Sequence, residues 1–105
     1  MIRVIGFYRW LEGANFDHDY YNTEHMRLTK EALTPHGLIR LESDRYISSK
    51  PPVTGEIIAA SYAYFPSVEI AQAAMTAVGA VLMADVARYT NLKPEIRLSY
   101  VTIHP

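Results

Sequence analysis

The apolar positions of this chain follow two different spacings, and the switches between them mark its elements. Ile2 to Arg9 is rich in β-branched and aromatic residues, with Ile2, Val4 and Tyr8 on one face and Ile5 and Phe7 on the other, which predicts a strand. From Phe16 to Leu33 the spacing becomes helical. Taking Tyr21 as reference and advancing about 100° per residue, His25, Leu28 and Ala32 fall within about one-ninth of a turn of it. Met26, Thr29 and Leu33 widen that arc, while Tyr20, Glu24, Arg27 and Glu31 occupy the opposite side. The pattern predicts one amphipathic helix carrying a histidine on its apolar face. Asn15 or Asp17 is the expected N-cap, and Pro35 and Gly37 end the helix.

Leu38 to Ile47 is a second predicted strand, in which Arg40, Glu42 and Asp44 alternate with Ile39, Leu41 and Ser43. Ser48 to Pro52 has no periodicity and two prolines, so it reads as a surface loop. Ile57 to Phe65 is the third strand, ended by Pro66. Ser67 is placed to cap a helix from Val68 that is rich in alanine and is expected to break at Gly79, leaving Ala80 to Arg88 as a short helix or kinked continuation. Ile96 to Ile103 is the last strand.

The order β-α-β-β-α-β is the ferredoxin-like plan of the α+β class, a four-stranded antiparallel sheet with both helices on one face. The other face of such a sheet normally meets water and alternates accordingly. Here the first and third strands place apolar residues on both sides: in the third, Ile57, Ala59, Ala63 and Phe65 alternate with Ile58, Ala60, Tyr62 and Tyr64. Left open, that face would be a larger apolar patch than monomers usually expose. A second copy packed sheet to sheet, with two-fold symmetry, is the expected cover.

Composition narrows the choice. A chain of 105 residues is expected to form one domain over residues 1–105. A net charge of -1 lacks the basic excess of a nucleic-acid binder. With no cysteine, disulfides, thiolate metal sites and cysteine nucleophiles are excluded. Arg3 and Arg9 interrupt the first apolar run, which is too short and too charged for a signal peptide or membrane span. A cytoplasmic protein without membrane or nucleic-acid partners is expected.

Few residues offer chemistry. His25 is the first candidate, as a proton-transfer group near neutrality or as a hydrogen-bonded core histidine. Tyr21, one turn earlier on the same face, can partner it or polarise a carbonyl. His18 lies roughly 10 Å from His25 along the helix, too far to share a metal ion, and reads as a rim residue; His36 and His104 read as loop and terminus residues. Asp85, among Val81, Leu82 and Val86, is expected to be shielded from water. It either accepts hydrogen bonds from the turn at Tyr89 to Asn91 or orients a histidine or substrate hydroxyl. The eight tyrosines suit a dimer core or a cavity for an aromatic ligand. No phosphate loop, G-x-S-x-G elbow or H-E-x-x-H motif is present.

Phe16-Asp17, Tyr20-Tyr21 and His25-Met26 resemble the F-D-x-x-Y-Y-x-x-x-H-M signature of EthD-like proteins. Gly37-Leu38 with Arg40 is similar to the turn and strand that follow, and Gly79, Met83-Ala84-Asp85 and Tyr89-Thr90 to the second-half signature. Arg27 departs from it, since many relatives have proline there. The resemblance implies a dimeric α+β barrel whose subunits each keep a cleft between helices and sheet. The wider superfamily includes metal-free monooxygenases, polyketide cyclases and lactone isomerases, and EthD itself is associated with ether breakdown beside an oxidising system. By position, His25, Tyr21 and Asp85 are the matching site residues. The implied function is a cyclase, isomerase or cofactor-independent monooxygenase acting on a small apolar carbonyl or aromatic compound, with no cofactor or metal. The alternative is a non-catalytic ligand-binding or accessory protein of a catabolic oxidising system.

Overall fold

The computed structural model describes residues 1–105 and has the order β1 (Ile2–Arg9), α1 (His18–Tyr20), a π-helical segment (Tyr21–His25), α2 (Met26–Leu33), a 3-10 turn (Thr34–His36), β2 (Arg40–Arg45), β3 (Ile57–Phe65), α3 (Val68–Val86) and β4 (Glu95–Tyr100). The strands form one sheet in the order β2-β3-β1-β4, and every neighbouring pair is antiparallel. This is the expected ferredoxin-like plan. β1 and β3 have the expected limits, whereas β2 and β4 are shorter than their apolar patterns; just beyond β2, the Ile39 and Tyr46 amides still donate to the Tyr64 and Ile58 carbonyls of β3.

Ile2, Val4, Ala63 and Phe65 pack against Leu33, Ala71 and Ala74 to form one core. A second core joins Tyr8, Tyr21, Ile58, Ala59, Val86, Tyr89 and Leu92. The register slips between Tyr8 and Arg9, which pair with Ala59 and Ile57 respectively. The skipped residue, Ile58, is buried in the second core beside Ala59; this bulge breaks the simple alternation expected of β3.

The first helix differs from its expected form. It starts at His18, capped by Asp17, whose Oδ1 accepts from the Tyr20 amide at 3.0 Å. It then widens into the π segment. The buried stripe is Tyr21, His25, Thr29 and Leu33, while Leu28 and Ala32 are only half-buried. The i→i+5 bonding of a π turn takes more residues per revolution than an α turn. Residues four apart therefore line up, and the stripe shifts toward the flank that held Thr29 and Leu33. Gly37, at φ 94°, supplies the left-handed turn that ends this helical unit.

α3 also departs from expectation, because it runs unbroken through Gly79 from its Ser67 cap, whose Oγ accepts from the Ile70 amide at 3.2 Å. A glycine costs about 1 kcal/mol in a helix interior, less than the burial of Ala71, Ala74 and Val86 on either side supplies. α3 is long and apolar enough, by length and composition alone, to cross a membrane; here those three residues pack into the two cores.

The outer face of the sheet is not bare. Arginines cover its rings: Arg3 lies 5.2 Å from the Tyr62 ring, Arg9 and Arg97 lie 5.3 and 5.5 Å from Phe7, and Arg40 lies 5.8 Å from Tyr64. Glu95 bridges Arg9 and Arg97, and Glu42 pairs with Arg40 and accepts from the Tyr64 hydroxyl at 2.8 Å. That bond and Arg40 hold the Glu42 carboxyl below its usual range. The expected apolar face is thus an aromatic layer under a mixed-charge lattice.

Candidate functional site

The site is assembled where the first helical unit meets the end of α3. The Asp17 amide donates to the Tyr89 carbonyl at 2.8 Å, and Phe16 forms a single β-bridge with Thr90. Thr90 Oγ1 donates to the Asn15 carbonyl at 2.6 Å, and the Asn15 amide donates to Asn91 Oδ1 at 3.0 Å. These bonds fasten the helix start to the turn after α3, which brings His25 opposite Asp85.

His25 Nδ1 lies 2.9 Å from Asp85 Oδ2, with both side chains buried. An ionised carboxylate only accepts, so Nδ1 carries the proton and, in the neutral ring, Nε2 is left with the lone pair. Asp85 Oδ1 also accepts from the Tyr20 hydroxyl at 3.0 Å and lies 3.4 Å from Arg88 Nε. The expected bonds from the Tyr89 to Asn91 turn are absent from the carboxylate; its partners are His25, Tyr20 and Arg88. The His25 ring is held between aromatics, near-parallel to Tyr21 (centroids 5.7 Å apart, 17°) and 4.7 Å from Tyr89.

A cavity of about 170 Å³ lies between the helices and the sheet, lined by His25 and Tyr21 together with Tyr8, Ser61 and Gly79 among others. Most of its wall is apolar, so polar groups there act where water competes poorly. Tyr21 is buried, and its hydroxyl has no hydrogen-bond partner. The Tyr8 hydroxyl, by contrast, bonds to the Tyr89 hydroxyl. Burial pushes Tyr8 up to about 12 and raises Tyr21 and Tyr89 as well. All three are therefore neutral phenols at ordinary pH.

Of the three residues expected from sequence, His25 and Tyr21 line the cavity and Asp85 stands behind His25. His36 and His104 are exposed, as expected of loop and terminus residues, and His18 is half-buried. Sequence reasoning missed the small residues that leave the space open. Gly6 and Ser61 are cross-strand partners at the sheet, and Gly79 faces open space with nothing within 4 Å of an added Cβ. The available signals were a glycine inside a bulky strand and another inside a helix.

The fold and site define a ferredoxin-like α+β domain with a partly open cleft between helices and sheet. No protein-family model matches the chain, and no curated protein matches it. Among solved structures, an EthD-like protein from Ralstonia eutropha JMP134 is 30% identical, with TM-score 0.83 over 99% of this chain and 94% of that one. The chain belongs to the EthD-like family. An ethyl tert-butyl ether D family protein from Bacillus halodurans C-125 is 19% identical with TM-score 0.65, over 97% of this chain and 99% of that one. A putative antibiotic biosynthesis monooxygenase from Nitrosomonas europaea is 13% identical with TM-score 0.61, over 99% of this chain and 100% of that one. These two share the fold.

Proposed function

We propose that the chain is a proton-transfer enzyme of the cyclase, isomerase or cofactor-independent monooxygenase kind, acting on a small apolar carbonyl or aromatic compound held in the cavity. The observation that carries this reading is the pairing of His25 with Asp85 at 2.9 Å behind a cavity that Tyr21, with its buried and unpartnered hydroxyl, also lines. Each of these reaction kinds can begin by removing a proton from carbon or oxygen next to a conjugated carbonyl. His25 Nε2 takes that proton, and Asp85 holds the ring in the required tautomer and stabilises the imidazolium formed. The Tyr21 hydroxyl donates to the substrate oxygen as negative charge develops there. A cavity of about 150 Å³ admits one benzene-sized ring, which limits the part of the substrate enclosed within 170 Å³ to about that size.

The test is solvent deuterium incorporation into single-ring aryl ketones, followed by proton NMR. Exchange above the buffer rate is expected, lost in His25→Ala and reduced in Tyr21→Phe. Exchange by His25→Ala at the wild-type rate would refute the catalytic role.

A non-catalytic binding or accessory role draws support from the further contacts of Asp85 to Tyr20 and Arg88, which would suit a structural network. On that reading aryl ketones raise the melting temperature of the wild type, but no exchange occurs. We also infer a homodimer joined through the outer sheet faces. The aromatic layer there supports it, as does the likeness to a protein from an uncultured marine organism described as a dimeric ferredoxin-like protein (14% identity, TM-score 0.55, over 99% of this chain and 97% of that one).

A further inference from the structure

A second cavity, of about 570 Å³, opens at the far side of the aromatic cluster and is walled partly by the segment after β2. Phe16 is the partition. It lines the second cavity and packs edge-on against Tyr8 and Tyr21, at 5.1 and 5.2 Å, both of which line the first.

The two spaces differ in charge. Arg45, Lys50 and His18 line the second cavity, and no carboxylate residue is among its lining residues. The chain's lysine and arginine ion pairs engage Arg9, Arg27, Arg40, Arg88 and Arg97, leaving Arg45 and Lys50 without an acidic partner. Of the nearby acids, Glu56 accepts from Ser49 Oγ at 2.9 Å, and Asp17 is occupied as a helix cap. Burial and then Arg45 hold His18 below its ordinary value, with Asp19 and Asp17 opposing. Flat apolar surface accompanies the cations: Trp10, Phe16 and Tyr46 line the same space, and the His18 ring packs on Phe16 at 4.6 Å.

Two unpaired cations beside three aromatic rings, in a volume within the usual range of about 300–1,000 Å³ for small-molecule sites, suit a planar ring bearing a negative charge. A guanidinium binds a carboxylate with charge-assisted hydrogen bonds, and the ring buries its faces against aromatic side chains. We propose that this second cavity binds a small aromatic carboxylate, the anion on Arg45 and Lys50 and the ring against Trp10 and Phe16. The site is separate from the His25 cleft and does not depend on its chemistry.

Trp10 is the only tryptophan in the chain, so its fluorescence reports on this site directly. The probe is benzoate, with benzamide as its uncharged counterpart. Benzoate should change the emission saturably, and benzamide should bind at least about tenfold more weakly, because it lacks the charge. Arg45→Gln and Lys50→Gln should each weaken benzoate by about tenfold, while His25→Ala leaves it unchanged. The proposal is overturned by no response to benzoate, by equal affinity for benzamide, by wild-type affinity in the Arg45→Gln/Lys50→Gln double variant, or by loss of the response in His25→Ala. Circular dichroism of each variant separates lost binding from lost folding.

Discussion

His25 and Asp85, 60 residues apart in sequence, meet with Nδ1 and Oδ2 2.9 Å apart. Only the histidine lines the cavity. A buried, hydrogen-bonded polar pair is often no more stabilising than apolar residues filling the same space, but losing one partner is costly because the other stays buried and unpaired. The pair is therefore better understood through what it fixes. It determines which imidazole nitrogen carries the proton, and it leaves the other available to the cleft.

Asp85→Asn tests that relationship. The amide keeps the shape but can donate to Nδ1, which allows the opposite tautomer and moves the lone pair away from the cavity. Deuterium exchange should fall by about 10²-fold or more, with substrate affinity nearly unchanged. Urea unfolding should show a loss of about 1–3 kcal/mol, since Tyr20 and Arg88 also lose a charged partner. A stability loss with exchange intact would make Asp85 structural only.

Tyr21→Phe should have opposite effects on the free and the bound protein. Its hydroxyl is buried and unpartnered, so in the free protein it carries a desolvation cost with no compensating bond. Removing it should leave stability unchanged or raise it by up to about 1 kcal/mol. An aryl ketone should nevertheless bind more weakly, by about tenfold, through loss of the hydrogen bond. Isothermal titration and urea unfolding on the same samples measure both; a destabilised variant with full affinity would contradict this assignment.

The succession of strands and helices and the His25-Tyr21 stripe were legible because alternation and helical spacing are local. Asp85 was placed correctly as a shielded carboxylate, but its partner was not visible, since bonds such as Asp17 to Tyr89 form only after the chain has folded back. The π turn was equally hidden: Tyr21 and His25 share a face in either helix type, and only the burial of Thr29 over Leu28 distinguishes them. Gly79 misled because its local cost argues for a break, whereas packing on both sides keeps α3 continuous. On the outer face, counting apolar positions overlooked how far arginine reaches across neighbouring rings.

Alkaline pH should unfold the protein in a way its tyrosines explain. Burial raises Tyr8 to about 12 and also raises Tyr21 and Tyr89, whereas in the unfolded chain each titrates near about 10. The native state therefore holds these protons longer. The stabilisation is fully present below about pH 10 and is lost as pH rises through the folded values, at about 1.4 kcal/mol per pH unit for each phenol. Urea midpoints between pH 9 and 11.5 check this, and Tyr8→Phe should flatten the slope by one group's share.

The outer face gives a prediction about assembly. Ile5 lies on the outer side of β1 between Arg3 and Phe7, opposite Tyr62 and Arg97. Ile5→Glu would place a carboxylate in the middle of a packed sheet-to-sheet contact, where desolvating it is costly. In an isolated subunit the same carboxylate remains near water and the arginines. The wild type should sediment as a dimer at micromolar concentration and the variant as a folded monomer. A monomeric wild type would remove the basis for this interface.

Gly79 separates the helix from the cavity most cleanly. Nothing lies within 4 Å of a Cβ built there, and its backbone is helical. Gly79→Ala should therefore stabilise the protein by about 0.5–1 kcal/mol, from helix propensity and a less flexible unfolded chain. Gly79→Leu gains similar propensity but sends a branched side chain into a cavity of about 170 Å³. It should abolish the thermal shift caused by aryl ketones while the protein remains folded. The Trp10 response to benzoate should survive, because Phe16 separates the two cavities. If Gly79→Leu still binds the ketone at wild-type affinity, the ligand does not occupy the His25 cleft, and the catalytic roles assigned to His25 and Tyr21 lose their substrate.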